Sequence, residues 1–183
     1  METLSYWIFH RPSMKVLLNP VVGDLLKQED CDAIVNSAHP SMLAGSGVSG
    51  IIHRAAGKEL ESYGQQFAPI KLTQAVITPA FDLPYKAIIH VSAPRFHNED
   101  NPYSLLDHSL NNVYELAERC QLKRIAIPAI GTGIYGFPIE GAVKIYAQSV
   151  FRFKNRYLQE VRFVFTSQEY LDLMNVELEY LEW

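Results

Sequence analysis

Cysteine is scarce in this sequence of 183 residues. The only two cysteines, Cys31 and Cys120, lie far apart and match no metal-binding spacing. A disulfide framework is therefore not expected, and a reducing cytoplasm is the expected location. We expect no metal and no cofactor.

Long apolar runs are absent as well. No stretch approaches the roughly 18 apolar residues that a membrane-spanning helix needs. The first residues, METLSYWIFHRPS, lack the apolar core and the cleavage site of a signal peptide. We therefore expect no membrane association.

Positive charge is also limited. The net charge is −4 and no basic block is present, which disfavours broad electrostatic binding to nucleic acid. An anionic ligand would have to be held by local N–H groups rather than by a positive face. Apolar residues make up 48% and charged residues 20%, an ordinary balance for a globular protein.

The sequence does contain apolar strands that alternate with amphipathic helices. Strands are predicted at residues 14–18, 33–35, 75–78, 87–92, 124–128 and 161–165. Helices are predicted at residues 50–67, from Pro102, from Pro138, and after Thr166, which pairs with Glu169 as a capping box. The alternation predicts a three-layer α/β/α domain with a largely parallel sheet. We expect one domain over residues 1–183, with residues 1–13 as an N-terminal strand or arm.

Two glycine-rich segments fit the pattern G-x-G-x-x-G. Residues 45–50 read GSGVSG and residues 131–136 read GTGIYG. Each follows a strand and leads into a helix, and Ser49 is predicted to cap the first of these helices. Backbone N–H groups at a helix N-terminus bind anions. Because ligands bind outside the carboxyl ends of parallel strands, we expect a diphosphate between the two loops.

Glycine-rich loops also occur in turns and in two common nucleotide-binding folds. Glycines serve tight turns with positive φ and need not bind anything. A Rossmann dinucleotide site requires glycines directly after a strand and an acidic residue about 20 positions further on. The first loop lies well past its strand, Glu59 and Glu61 fall in a helix, and Glu160 precedes a strand. Neither loop ends in Gly-Lys-Ser/Thr, which excludes a P-loop.

Five motifs, in order and with matching spacing, resemble the macrodomain family of ADP-ribose-binding modules. They are GDL at 23–25, VNSAH at 35–39, AGSGVSGIIHRAAG at 44–57, IIHVSAP at 88–94 and PAIGTGIYGFP at 128–138. The resemblance runs from residue 16 to residue 170. It is closest to the MacroD-type bacterial enzymes, which remove ADP-ribose or acetyl groups from ADP-ribosyl esters, and it implies a macrodomain-like sandwich.

The resemblance also implies roles for individual residues. Asp24 and the N–H of Leu25 would contact adenine, both loops would hold the diphosphate through backbone N–H groups, and Tyr135 would cover the distal ribose. The implied ligand-binding residues are Asp24, Leu25, Asn36, His39, Gly45, Gly47, Val48, Gly131, Thr132, Gly133, Ile134, Tyr135 and Phe165, the last of these against the adenine ring.

Two positions depart from the MacroD-type pattern. In those hydrolases the second Asn of N-A-A-N and the Asp of G-V-D-G hold the distal ribose and help to activate water. Here His39 and Ser49 stand in their places. A serine hydroxyl is no base near neutral pH without an activating partner, so the usual carboxylate route is missing. His39 is a candidate general base, and it is also a candidate for ribose binding or loop stabilisation alone.

The sequence therefore predicts a diverged macrodomain that binds ADP-ribose or an ADP-ribosyl derivative. One alternative is an active hydrolase of ADP-ribosyl esters, including O-acetyl-ADP-ribose, in which a substrate phosphate or His39 orients the water. Others are an ADP-ribose phosphate phosphatase and a protein-interaction domain that has lost its ligand. His39 and Ser49 are the catalytic candidates, and an ADP-ribosylated protein is a candidate partner.

Overall fold

A computed structural model describes residues 15–181 of the chain. Six strands form one sheet: β1 (Leu17–Val22), β2 (Ala33–Ser37), β3 (Ala75–Thr78), β4 (Ala87–Val91), β5 (Arg124–Pro128) and β6 (Glu160–Phe165). Their order across the sheet is β1-β6-β5-β2-β4-β3. Every adjacent pair is parallel except β3 and β4, which are antiparallel. The prediction of a mostly parallel mixed sheet is confirmed.

Helices cover both faces of the sheet in the described part of the chain. They are α1 (Gly47–Ala56), α2 (Lys58–Gly64), α3 (Pro102–Arg119), α4 (Ile139–Arg152) and α5 (Gln168–Leu181). Val35 of β2 packs in the core cluster that contains α3 and α4 side chains, whereas its neighbour Ile34 packs with Ile52 of α1 and Leu60 of α2. A strand buried on both faces reads as a continuous apolar run. The three predicted layers are confirmed.

The predicted helix over residues 50–67 is instead two helices and a 3-10 turn. Helix α1 begins at Gly47 and ends before Gly57, which has φ +91, and the turn follows α2 at Gln65–Phe67. The positive φ favours glycine here; a Cβ at Gly57 would also lie 2.7 Å from Oδ2 of Asp82, an exposed side chain that can move aside. The N-cap residue of α1 is Ser46, so the prediction that Ser49 caps this helix is wrong.

Two other boundaries differ from the prediction. Strand β1 continues through Pro20 to Val22, because β1 is an edge strand, where a missing backbone N–H is tolerated. Helix α5 begins at Gln168, so the position directly before the helix belongs to Ser167, one residue after the predicted cap Thr166. The predicted arm at residues 1–13 lies outside the described residues.

The carboxyl ends of β1, β6, β5, β2 and β4 all lie on one edge of the sheet, because these strands run parallel. Both glycine loops leave the sheet at this edge, after β2 and after β5. Among the described residues, no helix is both long and apolar enough to cross a membrane.

Candidate functional site

A cavity of about 880 Å³ opens along the carboxyl edge of the sheet. Segments that follow five different strands line it: Gly23 after β1, Thr166 after β6, the second loop after β5, the first loop after β2, and Arg95 after β4. Neighbouring strands lie about 4.8 Å apart, and four such steps separate β1 from β4, so the cavity extends about 19 Å. We call its two ends the β1 end and the β4 end.

Both glycine loops line this one cavity, as their positions after strands predict. Gly45, Gly47 and Val48 lie at the start of α1, where the first N–H groups have no partner within the helix. The Ser46 side chain makes no capping hydrogen bond to them. Gly131 has φ +88, and a Cβ there would lie 2.8 Å from Cδ2 of Phe137, so this turn requires glycine.

Thr132 is satisfied within its own turn. Its N–H and its hydroxyl both donate to the carbonyl oxygen of Ala129, at 3.2 and 2.8 Å. Thr132 itself lines the cavity, and the role of its amide in holding a diphosphate stays a prediction. The second loop can offer the N–H groups of Gly133, Ile134 and Tyr135, which all line the cavity.

Ser49 lines the cavity from the first turn of α1, and its side chain is supported from behind by Asn36. Nδ2 of Asn36 lies 3.4 Å from Oγ of Ser49 and 3.1 Å from Nδ1 of His90. Asn36 has no exposed surface and does not line the cavity. The prediction that Asn36 contacts the ligand is wrong, because its side chain is enclosed between the sheet and α1.

His90 continues this hydrogen-bonded chain into the protein. Its Nε2 lies 3.0 Å from Oγ1 of Thr78, which donates in turn to the carbonyl oxygen of Pro79 at 3.0 Å. His90 is fully buried, and burial together with nearby His53 lowers the pKa of His90 to about 3. His90 is therefore neutral near physiological pH. We call Thr78, His90 and Asn36 the buried polar chain.

His39 lines the cavity from an exposed position after β2. Its Nδ1 lies 2.8 Å from the hydroxyl oxygen of Ser41 and accepts from the Ser41 backbone N–H at 3.2 Å. Ser41 also lines the cavity. Ser41 was not predicted from the sequence, since serine in a loop carries no pattern of its own.

At the β1 end, Gly23 and Leu25 line the cavity on either side of Asp24. Oδ1 of Asp24 accepts from the N–H of Leu26 at 2.9 Å and so caps the 3-10 turn Leu25–Lys27. The other carboxylate oxygen has no hydrogen bond within residues 15–181. Asp24 itself is exposed and is not among the lining residues, so its adenine-binding role stays a prediction.

Phe165 does not reach the cavity. It is 0% exposed and packs in the core beside Phe163 and Tyr170, with ring centroids 6.4 and 6.1 Å away. Its neighbours Val164 and Thr166 line the cavity instead, because successive strand residues face opposite sides of the sheet. The prediction of Phe165 against adenine is wrong, and Tyr170 is the aromatic residue that lines this end.

Arg95 was not predicted from the sequence. It lines the β4 end, and its guanidinium lies 4.9 Å from the ring centroid of Tyr135, in cation–π contact. The Phe96 N–H donates to the carbonyl oxygen of Tyr135 at 2.8 Å, which ties this segment to the second loop. Arg95 and Tyr135 are distant in sequence, so no local pattern could pair them.

Charged groups are few around this cavity. Among its lining residues, which all belong to the described part of the chain, Arg95 is the one Lys or Arg, and none is Asp or Glu. No cluster of three or more His, Cys, Asp and Glu that could hold a metal occurs within residues 15–181. The site can therefore act through N–H and O–H donors, imidazole and one guanidinium.

The family model described as Macro domain matches residues 35–146, which contain both glycine loops, His39, Ser49 and Arg95. The chain belongs to the macro domain family. Its similarity to other macro domain proteins extends beyond the matched residues, at both ends.

Two relatives of this macro domain are named O-acetyl-ADP-ribose deacetylase. The protein of Klebsiella pneumoniae is 40% identical over 163 residues, which cover 85% of this chain and 93% of the relative. The protein of Enterobacter cloacae is 40% identical over 145 residues, which cover 76% of this chain and 80% of the relative. These matches support the assignment over most of the chain.

Two solved structures are similar to this macro domain throughout. The macrodomain of Oceanobacillus iheyensis with ADP has a TM-score of 0.86 and 33% identity, over 93% of this chain and 94% of the other. The macrodomain of Trypanosoma brucei in complex with ADP-ribose has a TM-score of 0.82 and 25% identity, over 92% of this chain and 70% of the other. The α/β/α architecture is shared with both.

Proposed function

We propose that this macro domain binds ADP-ribose or an ADP-ribosyl derivative in the cavity at the carboxyl edge. The observation that carries the proposal is the meeting of two donor-lined turns, the start of α1 and residues 133–135, in one cavity. Relatives named for an ADP-ribosyl substrate and a similar structure with ADP-ribose support it. An ADP-ribosylated protein as partner, and a cytoplasmic location, belong to the same proposal.

The order of the lining segments sets the orientation of the ligand. Adenine lies at the β1 end, where the Leu25 N–H and the second carboxylate oxygen of Asp24 meet its nitrogen edge. The diphosphate lies between the start of α1 and the 133–135 turn, since unpaired N–H groups and a helix N-terminus favour an anion. The distal ribose then lies near Tyr135, His39 and Ser49, toward the β4 end.

Calorimetry with ADP-ribose tests the proposal, and Gly133→Val is the sharpest variant. A Cβ at Gly133 meets no atom within 4 Å and the residue has no positive φ, so the fold accepts a side chain there. That side chain would enter the space assigned to the diphosphate. We expect measurable binding by the wild type, and at least tenfold weaker binding by Gly133→Val with an unchanged thermal unfolding midpoint.

The same experiment distinguishes the alternatives. No heat signal from the wild type at millimolar ADP-ribose would overturn the proposal and favour a protein-interaction domain. Equal affinities of the wild type and Gly133→Val would show that the ligand does not lie between the two turns. Titration with ADP and with adenosine separates the contribution of the diphosphate to the affinity from the contribution of the base.

A second candidate function is hydrolysis of ADP-ribosyl esters, including O-acetyl-ADP-ribose. The specific observation that favours it is the 40% identity to proteins named for that deacetylation. Of the two ways to orient water, the hydrogen bonds of His39 favour the substrate phosphate. Nδ1 of His39 faces both the Ser41 hydroxyl oxygen, at 2.8 Å, and the Ser41 N–H, at 3.2 Å, so Ser41 already occupies this nitrogen and water does not reach it.

Turnover is tested with O-acetyl-ADP-ribose and with an ester-linked ADP-ribosylated protein. If the substrate phosphate orients the water, His39→Ala retains a substantial part of the wild-type rate. If His39 were the base, the rate would fall 10²-fold or more, as general-base removal does. If the wild type releases no more product than a boiled sample does, the hydrolase function is ruled out and the binding function still stands.

A further inference from the structure

The chain reaches the first glycine loop through residues 39–44, which we call the approach segment. Of its six residues, all except Pro40 and Met42 line the cavity. The Met42 side chain is 2% exposed and packs with Ile70 and Val76 in a small core cluster of its own. The approach segment therefore has one side on the cavity and the other side anchored in the protein.

Met42 has a backbone conformation that long side chains rarely adopt. Its φ is +58, in the left-handed region that favours glycine. A strained position of this kind persists only where the surrounding contacts enforce it. The local preferences of the approach segment do not produce its shape, so contacts from other elements must hold it.

These contacts come from α2 and from the 3-10 turn that follows it. Oε2 of Glu61 on α2 accepts from the Ala44 N–H at 2.8 Å. Nε2 of Gln65 in the turn donates to the carbonyl oxygen of Ser41 at 3.0 Å. The two hydrogen bonds hold the backbone on either side of Met42, and neither Glu61 nor Gln65 lines the cavity.

Ala44 is the point at which this support reaches the anion site. It directly precedes Gly45, and Ser46 is the N-cap residue of α1, so a fixed Ala44 fixes the backbone that enters the helix. A loop that already has its binding conformation loses less conformational freedom on association and binds more tightly. Support at Ala44 should therefore raise the affinity for an anion at the start of α1.

We propose that Glu61 is a positioning residue for the diphosphate, which acts through the Ala44 N–H to hold the approach segment in its binding conformation before the ligand arrives. This inference rests on the proposed function, since it requires the diphosphate at the start of α1. The carboxylate acts as a hydrogen-bond acceptor and not through its charge, because a negative charge would only oppose the diphosphate. A neutral acceptor of the same shape should therefore serve as well.

Three variants test the role of Glu61 by calorimetry with ADP-ribose. Glu61→Ala removes the acceptor and should weaken binding about fivefold or more. Glu61→Gln keeps an acceptor for the Ala44 N–H and should bind ADP-ribose at least as tightly as the wild type does. Glu59→Ala is the matched control and should bind like the wild type, because Glu59 is an exposed glutamate of the same helix and does not line the cavity.

Amide hydrogen exchange measures the positioning without any ligand. NMR should show the Ala44 N–H protected in the wild type and in Glu61→Gln. In Glu61→Ala it should exchange about tenfold faster or more, because the N–H has lost its acceptor. Exchange of the Ile89 amide in the core strand β4 should be the same in all variants, which separates this local effect from a general loss of stability.

The outcomes separate this inference from the proposed function. If the wild type binds ADP-ribose and Glu61→Ala binds it equally well, this inference is overturned and the proposed function stands. Equal losses of affinity in Glu61→Ala and Glu61→Gln would also overturn it, because the hydrogen bond to Ala44 would then not be the cause. If the wild type does not bind ADP-ribose, the proposed function fails first and this inference fails with it.

Discussion

His90 on β4 and Asn36 on β2 are register partners in the sheet, and their side chains meet at 3.1 Å with no exposed surface on either. Oδ1 of the same Asn36 amide has no hydrogen-bond partner among the described residues. A buried polar atom without a partner costs about 1–3 kcal/mol. The amide that carries this unpartnered atom also contacts Oγ of Ser49 at 3.4 Å, so it joins the sheet to the first turn of α1.

Removal of the His90 ring nitrogens should destabilise the protein. In His90→Phe, the amide of Asn36 and the hydroxyl of Thr78 lose buried partners. We expect the free energy of unfolding to fall by about 2 kcal/mol or more, measured by urea denaturation. The matched control is His108→Phe on the exposed side of α3, expected within about 0.5 kcal/mol of the wild type. Equal losses in the two variants would contradict the structural role of His90.

Acid should destabilise the protein through the same residue. Burial lowers the pKa of His90 from 6.5 to about 3. Between these two pH values the unfolded protein binds a proton at His90 and the folded protein does not. The contribution of His90 to the free energy of unfolding is therefore fully present above pH 6.5 and is lost as the pH decreases toward 3. For one group the slope is at most about 1.4 kcal/mol per pH unit.

Urea denaturation from pH 7 to pH 4.5 measures this slope, and His90→Phe is the control. The variant should show a shallower decline, though not a flat one, because burial also lowers the pKa of His53. The carboxyl of Asp30, whose pKa the hydrogen bond from Arg162 lowers to about 2, contributes only at lower pH. Identical slopes for the two proteins would show that His90 is not the group responsible.

The sequence predicts the three layers of this fold, but it does not predict which way every side chain faces. Strand β6 reads EVRFVF, and a strand buried on both faces lacks the alternation that would show that Val164, and not Phe165, faces the cavity. The motif of the first loop placed Ser49 at the cavity, whereas the burial of Asn36 depends on packing beneath α1. The pairing of Arg95 with Tyr135 depends on tertiary contact alone.

A side chain at Gly57 should lower the stability of the protein, because the residue has a positive φ. Gly57→Ala adds a Cβ 2.7 Å from Oδ2 of Asp82 at φ +91. We expect thermal and urea denaturation to show a loss of about 1–3 kcal/mol, the usual cost of a strained backbone position. Gly133→Ala, with open space around its Cβ and no positive φ, is the matched control for stability and should unfold like the wild type. A neutral Gly57→Ala would mean that α1 and α2 can join in another way.

Phe165 and Tyr170 should separate stability from ligand binding. Phe165→Leu removes part of a fully buried ring and should lower the free energy of unfolding by about 1 kcal/mol or more, with little effect on affinity for ADP-ribose. Tyr170→Leu removes an aromatic residue that lines the β1 end and should weaken ADP-ribose binding several-fold. Calorimetry beside urea denaturation measures both quantities. The reverse pattern would restore Phe165 as the residue against adenine.

Asp24→Ser should distinguish the two roles of Asp24. Serine caps a helical turn about as well as aspartate does, so the hydrogen bond to the Leu26 N–H is retained and the protein should unfold like the wild type. The carboxylate oxygen assigned to adenine is lost, and because the position is exposed we expect a loss at the low end for a charged hydrogen bond, about tenfold in affinity. Calorimetry with ADP-ribose and with ribose 5-phosphate separates the base from the rest of the ligand. If affinity for ADP-ribose is unchanged, Asp24 only caps the turn, and adenine is selected by other groups at the β1 end.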